Sequence, residues 1–315
     1  MAKNEIQFQK GLSLQEFLSH FGTEEQCREA LFRWRWPKGF VCPDCGHTGH
    51  CELKSRKLFQ CNSCRAQVSL ISGTIFSATK LSLKTWFFGI YFITQSKISF
   101  SALSLKRIIG VSYNTALLMK HKIQQVMKDR DDSKPLGDYI QLDDAYWGGK
   151  KRDGVRGRGA TGKIPFVAAV SVNEKGHPQA MRFSQVESFT KDAITSWAKK
   201  HLDPESIVVS DGLGCFSAIR DAGIKHSVIV TGGGPKSVDI PEFKWVNTII
   251  GNVKNALHGT FHAISKRHFP LYLAEFCYRF NRRYDLKQLI PRFGYIAVRT
   301  PPMPQRLLTA AEFHG

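Results

Sequence analysis

From residue 13 to residue 35, apolar side chains return at three- and four-residue intervals: Leu14, Phe17 and Leu18, then Cys27, Leu31 and Trp34. That period marks one face of a helix. "FGTEEQC" interrupts it, and Thr23 ahead of Glu24, Glu25 and Gln26 signals a capped restart. "RWRWPKGF" then reads in two ways, as an amphipathic end packed on the adjoining cysteine-containing module or as a basic-aromatic nucleic-acid contact. A second helical block covers residues 81–128. "SLKTWFFGIYFITQ" is apolar nearly all round, which predicts a core helix. "SFSALSLKRIIGVSYNTALLMKHKIQQVM" predicts a short helix, a turn beginning at Gly110 and a longer basic helix. This is the helix-turn-helix pattern, although a plain helical hairpin has the same signature. In the first case Ser112, Tyr113, Asn114 and Thr115 open the recognition helix, where base edges are met.

"DRDDSKPLGD", residues 129–138, has the composition of a linker. Beyond it the period changes to that of strands. "YIQLDDAYW", "IPFVAAVSV" and "QAMRFSQV" predict three strands, "KDAITSWAKKHL" a helix, "SIVVSDG" and "KHSVIV" two further strands with a helix between them, and the chain from Asn247 onward is helical. The order predicts a mixed sheet covered by helices, an α/β domain. The segment from "RTPPMPQ" is Pro-rich and reads as extended.

Charge narrows the partners. The 315 residues hold 45 Lys and Arg against 26 Asp and Glu, a formal net charge of +19. Such an excess favours a polyanion, because Lys and Arg displace the counterions condensed on phosphates; an acidic membrane surface is the rival. No apolar run approaches the ~20 residues of a membrane span, and the most apolar stretch, Trp86 to Ile93, is far too short. The start, "MAKNEIQFQKG", has no apolar signal core, so the chain reads as cytoplasmic.

Cys42 and Cys45 in "CPDCG", with Cys61 and Cys64 in "CNSCR", are two C-x₂-C pairs separated by a short basic insert. This is the spacing of a four-thiolate structural Zn²⁺ site, the insert forming a hairpin that returns the second pair opposite the first. A redox pair needs one C-x₂-C, not two. Cys51, inside the insert, is a less suitable ligand, and Cys27, Cys215 and Cys277 are scattered and expected to stay reduced. The predicted layout is a multidomain chain: an N-terminal helical segment (1–38), a zinc ribbon (39–72), a helix-turn-helix-like helical domain (78–130), an α/β domain (136–290) and a C-terminal tail (291–315).

Two acidic residues end predicted strands, Asp143 in "QLDDAYWGG" and Asp211 in "VVSDG". Carboxylates on neighbouring strands can converge on a divalent cation with oxygen preference such as Mg²⁺, although Asp-Gly is equally a turn signal. Adjacent strand residues face opposite sides, so only one of Asp143 and Asp144 is expected in the site, and Asp144 is expected to point away.

"CPDCG…CNSCR", "LDDAYWGGK", "VVSDG", "WVNTIIGNVKNALHGTFHAIS" and "KRHFPLYLAEFCYRFNRR" together resemble bacterial transposases of the insertion sequence 1595 family, over nearly the whole chain. The resemblance implies a zinc ribbon followed by a ribonuclease-H-like domain of the DDE type, using Mg²⁺ or Mn²⁺. It implies DNA as partner, both element ends and target, a homo-oligomer in the DNA complex because two ends must be paired, and a bacterial, nucleoid-associated location. Its motif maps onto Asp143, with Asp144 as the neighbouring acid, and onto Asp211. The third place, often Glu, falls on Asn247, and the Lys two helical turns later on Lys254, a DDNK variant. Asn247 offers a neutral amide oxygen and so holds an ion more weakly than Glu; it could equally cap a helix. Lys254 shares its face and could hold a phosphate, or be solvated. Glu242, close upstream, is a substitute for the missing carboxylate.

The basic segment after the first strand carries Lys150, Lys151, Arg152, Arg156, Arg158 and Lys163, expected to contact the DNA backbone unless it is a solvated hairpin tip. Phe269, Leu273, Phe276 and Phe280 form a core stripe, with Arg279, Arg282 and Arg283 placed to reach phosphates or to solvate the helix end. The function expected is a DNA transposase that cleaves phosphodiesters at element ends and transfers the strand to target DNA. The rivals are a non-enzymatic, transposase-derived DNA-binding regulator, which Asn247 favours, and a ribonuclease-H-like nuclease.

Overall fold

The structure is a computed structural model that describes residues 11–148, 162–230, 240–261 and 263–310. The chain divides into two units: residues 1–126 with 282–315, and residues 127–281.

The first unit opens with α1 (Leu14–Phe21) and α2 (Glu24–Arg35), each started by a capping box, Ser13 with Glu16 and Thr23 with Gln26. The restart at Thr23 is therefore where the sequence places it. A small antiparallel sheet comes next, β1 (His50–Leu53), β2 (Leu58–Cys61) and β3 (Gln67–Ser69), in that spatial order. The "RWRWPKGF" segment packs in the core: Trp36 is buried against Phe40 and Phe59, Trp34 stacks on Phe87 at 5.4 Å, and Arg35 donates to the carbonyls of Ser69 and Leu70. Of the two readings of that segment, packing holds for these three side chains.

Helix α3 (Leu83–Gln95) buries residues around most of its circumference, as its composition predicts. The Glu24 carboxylate accepts from the Leu83 and Lys84 N–H groups, both at 3.0 Å, tying the start of α3 to the start of α2. Helix α4 (Ala102–Ile109) ends at Gly110 with φ +70°, and α5 (Tyr113–Asp132) starts from Ser112, whose hydroxyl accepts from the Thr115 N–H. The predicted tail is in part a packed helix. α10 (Leu289–Ala297) buries Leu289, Ile290, Phe293 and Ala297 within this first unit, and α11 (Gln305–Ala310) comes after the prolines. Those prolines extend only the short stretch they occupy, and the apolar spacing ahead of them makes a helix.

The second unit is a five-stranded mixed sheet. β4 (Tyr139–Trp147), β5 (Ile164–Val172) and β6 (Pro178–Gln185) form an antiparallel meander, then α6 (Lys191–His201) leads to β7 (Ile207–Ser210) and α7 (Ala218–Asp221) to β8 (Lys225–Val228). The spatial order is β6-β5-β4-β7-β8, with β7 parallel to both β4 and β8. The elements stand in the predicted order. One face packs Ile140 and Leu142 of β4 under α6 and α7; the other packs Ala145 and Trp147 under α8 (Lys244–Thr260) and α9 (Phe269–Phe280). Strand β5, covered on both faces, is buried throughout and reads as a nearly continuous apolar run, broken by Ser171.

The first part of residues 129–138 is helix rather than linker. Helix α5 runs through Asp132, and Asp131 is buried. Arg182 of β6 pairs with Asp132 at 2.9 Å and donates to the Asp131 and Lys134 carbonyls, while the Asn281 amide donates to Asp131 at 3.1 Å. Leu136 then bridges to Leu202. A charged, Pro-containing run reads as linker by composition; here Asp131 and Leu136 are buried, Asp131 with its carboxylate partnered, while Ser133, Lys134 and Pro135 stay exposed.

Candidate active site and metal centres

The four cysteines meet. Two knuckles of the same geometry present them: the Gly46 N–H donates to the Cys42 carbonyl and the Cys42 N–H to the His47 carbonyl, and likewise Arg65 to Cys61 and Cys61 to Ala66. Each knuckle closes on a residue of positive φ, Gly46 at +74° in the first and Arg65 at +62° in the second. The β1–β2 hairpin brings one knuckle over the other. Sulfur atoms of Cys42 and Cys64 lie 3.6 Å apart, as do those of Cys45 and Cys61, and all four fall within 4.8 Å of one another. Tetrahedral Zn–S bonds of about 2.3 Å place sulfurs roughly 3.8 Å apart, so the donor set fits Zn²⁺. Cys51 is exposed on β1 and outside the cluster.

The second cluster lies where the sheet is interrupted. The parallel ladder between β4 and β7 stops at Leu142 opposite Ser210. β4 continues to Trp147 with its β7 side open, and Asp211 is the first residue past β7. Asp143, Asp144 and Asp211 each bring a carboxylate oxygen within 4.8 Å of the others. Backbone amides orient two of them: Asp143 accepts from the Asp144 N–H at 2.8 Å and Asp211 from the Leu213 N–H at 3.1 Å. The Asp-Gly turn and the site geometry therefore coexist at Asp211. Gly212 takes φ +86°, and a Cβ there would sit 2.9 Å from Val228.

Asp144 departs from expectation. Pleating does send the Cβ atoms of 143 and 144 to opposite faces. The vacated edge is open to both, and a carboxylate reaches past its own Cβ, so both acids converge on it. Three hard oxygen donors of like charge fit Mg²⁺ or Mn²⁺ rather than a thiophilic ion.

Asn247 and Lys254 lie on α8, seven residues and thus two turns apart on one face. Phe243 occupies the N-cap position, so Asn247 is inside the helix and does not cap it. Burial holds Lys254 below the usual lysine range, Asp143 and Asp144 oppose that shift and Lys163 adds to it, which sets Lys254 in the field of the carboxylates. Its Nζ sits 5.8 Å from the centre of the Phe166 ring. Glu242 lies in the turn Pro241–Phe243; burial raises the Tyr139 phenol and the Glu242 charge adds to it, so Glu242 acts on the first residue of β4 and is outside the acidic cluster.

Gln141 is a site residue that periodicity does not reveal. It is buried in β4, and its side-chain oxygen accepts from the Trp245 and Val246 N–H groups at the start of α8. Its signal in the sequence is an amide two residues before Asp143 in the same strand. Ser112, Tyr113 and Asn114 are exposed at the start of α5. Arg279 is buried beside Glu275 at 3.5 Å, which removes it from the arginines expected to reach phosphates. Lys150, Lys151, Arg152, Arg156 and Arg158 lie outside the described residues. Among those described, no helix is long and apolar enough to cross a membrane.

Residues 135–281 match the ISXO2-like transposase domain, and residues 22–67 match the transposase zinc-ribbon domain, both of the insertion sequence 1595 family. The first match contains the carboxylate cluster and the second the cysteine cluster. The chain is also 29% identical over 168 residues to an uncharacterized protein in transposable element ISH50 of Halobacterium salinarum, covering 47% of this chain and 55% of that relative.

Proposed function

Since this chain belongs to the insertion sequence 1595 transposases by both of its matched domains, we propose that it cleaves DNA at the ends of its element and joins the freed 3′ end to target DNA. The observation that carries the reading is the convergence of Asp143, Asp144 and Asp211 at the open edge beside β4, inside the matched transposase domain. The strand order, a three-stranded meander continued by two parallel strands, supports a ribonuclease-H-like architecture. A bound Mg²⁺ or Mn²⁺ supplies activation of the attacking oxygen and neutralisation of the leaving one.

The protein's own groups divide the remaining work. Asp143 and Asp211 hold the cation, with Asp144 beside them. Asn247 presents a neutral oxygen in the place where the family often has Glu, so affinity for a second cation is the weaker. Lys254, half-buried and near the carboxylates, sets a fixed positive charge against the phosphate as negative charge develops on it. The zinc ribbon and the α4–α5 pair, used as a helix-turn-helix with Ser112, Tyr113 and Asn114 foremost, read the element ends. Lys150, Lys151, Arg152, Arg156 and Arg158 hold the backbone. Pairing of two ends calls for at least a dimer on DNA.

The test is cleavage and joining of a labelled element end with Mg²⁺ or Mn²⁺. Joined product from the wild type and none from Asp211→Asn supports the reading. Cleavage without joining points instead to a nuclease. Specific end binding without cleavage points to a regulator, the reading that Asn247 favours.

A further inference from the structure

Helix α8 is held against β4 at two points, one on either side of the carboxylates. At the first, the oxygen of buried Gln141 accepts from the N–H groups of Trp245 at 2.9 Å and Val246 at 3.1 Å. The first N–H groups of a helix have no partner within it, and Phe243 at the N-cap makes no side-chain cap. Gln141 thus does from a neighbouring strand what a capping side chain does from within. At the second point the rings of Trp147 and His258 stack, with centroids 4.3 Å apart. From Gln141 to Trp147 is roughly 20 Å of strand, and from Trp245 to His258 roughly 20 Å of helix. The equal lengths mean that helix and strand run side by side in one register. Asp143 comes after the first point on the strand and Asn247 after it on the helix, each within two residues; Lys254 lies one turn before the second point.

We propose that Gln141 is a positioning residue of the reaction. Its amide sets the register of α8 on β4, and so places Asn247 and Lys254 against Asp143 and Asp211; the Trp147–His258 stack fixes the far end. The activity part of this proposal rests on the transposase reading. Gln141→Met fills similar space but leaves the buried Val246 N–H and the part-buried Trp245 N–H without their acceptor, and α8 regains a partner for the buried one by moving. Gln141→Glu keeps an oxygen in reach.

The experiment uses the full chain and compares wild type, Gln141→Met, Gln141→Glu and His258→Ala. Three measurements are made: Mn²⁺ binding, hydrogen exchange at the Trp245 and Val246 amides, and single-turnover cleavage of a labelled end. Misplacement of catalytic groups by about 1 Å costs on the order of a hundredfold in rate, so a loss of that size is expected for Gln141→Met with Mn²⁺ binding retained. Gln141→Glu should restore most of the rate, and His258→Ala, which removes an exposed ring, should give a smaller loss. Wild-type cleavage by Gln141→Met, or equal loss in Gln141→Glu, overturns the proposal. So does loss of Mn²⁺ binding in step with rate. If Gln141→Met does not fold, His258→Ala and Gln141→Glu decide: wild-type cleavage by the first or loss in the second counts against it. If the wild type binds Mn²⁺ but never cleaves, the transposase reading fails instead. Exchange then judges Gln141: protection lost in Met and kept in Glu supports it, and unchanged protection overturns it.

Discussion

Asp143 and Asp144 leave opposite faces of β4 and still share one edge, because β7 ends a residue before they would be separated by it. Each removal should therefore be felt, though unequally. Asp143→Asn and Asp211→Asn each take a charged donor from the α8 face and should abolish Mg²⁺-dependent cleavage while leaving DNA affinity unchanged, as read by cleavage and by filter binding side by side. Asp144→Asn should keep part of the activity and show a weakened Mn²⁺ titration. Full activity of Asp211→Asn would sink the assignment. Arg65 carries a different cost. It takes the left-handed conformation that Gly46 takes in the matching knuckle, and a side chain there is disfavoured by roughly 1 kcal/mol. Arg65→Gly should raise the thermal midpoint of the zinc-binding region, measured by calorimetry with zinc present.

Most elements were legible because each has a period or a cap of its own: Thr23 restarts α2, Gly110 stops α4, and the alternating strands of the second unit stand in sequence order. Three features were not. The pairing of Asp131 and Asp132 with Arg182 and Asn281 is set by contacts some 50 to 150 residues away along the chain, as is the approach of Gln141 to α8; local composition carries neither. The reach of Asp144 depends on where a neighbouring strand stops. Two elements have outcomes of their own. Cys45→Ser should unfold the β1–β3 sheet with its knuckles while the five-stranded sheet persists, because thiolate–zinc bonds supply the folding energy of so small a module; amide spectra of the full chain would show it. His201, buried at the end of α6, is pushed down to about 3 by burial and by Arg182, with Asp132 opposing. The unfolded chain takes up a proton near pH 6.5 that the folded chain refuses. Stability is therefore full above pH 6.5 and falls as pH drops from there toward 3, by up to ~2 kcal/mol at pH 5. His201→Gln should flatten that decline in urea midpoints compared between pH 7 and pH 5; an unchanged slope would exclude this histidine as its source.

Taken whole, the chain carries a formal net charge of +19, and its DNA affinity should fall steeply with salt as counterion release weakens. Discrimination of element ends from random duplex should depend on the zinc module far more than general affinity does; if the full chain with Cys45→Ser still discriminates, that module is not the reader. The first unit has one further property, in the time domain. Its sequence is split, and the later piece arrives last: α10 sets Gly294 against Trp34, the Arg299 guanidinium donates to the Trp34 carbonyl at 2.8 Å, and the Ile75 N–H donates to Ala297. A ribosome that has finished residue 126 must still make about 170 residues, roughly ten to thirty seconds of synthesis, before that helix exists. Through that interval the aromatic surface around Trp34 and Phe87 waits uncovered. A transcript broken or a message truncated inside the second unit would release a chain whose first unit is never closed, so incomplete copies of this protein should be sticky, short-lived and poorly able to compete with intact ones for element ends.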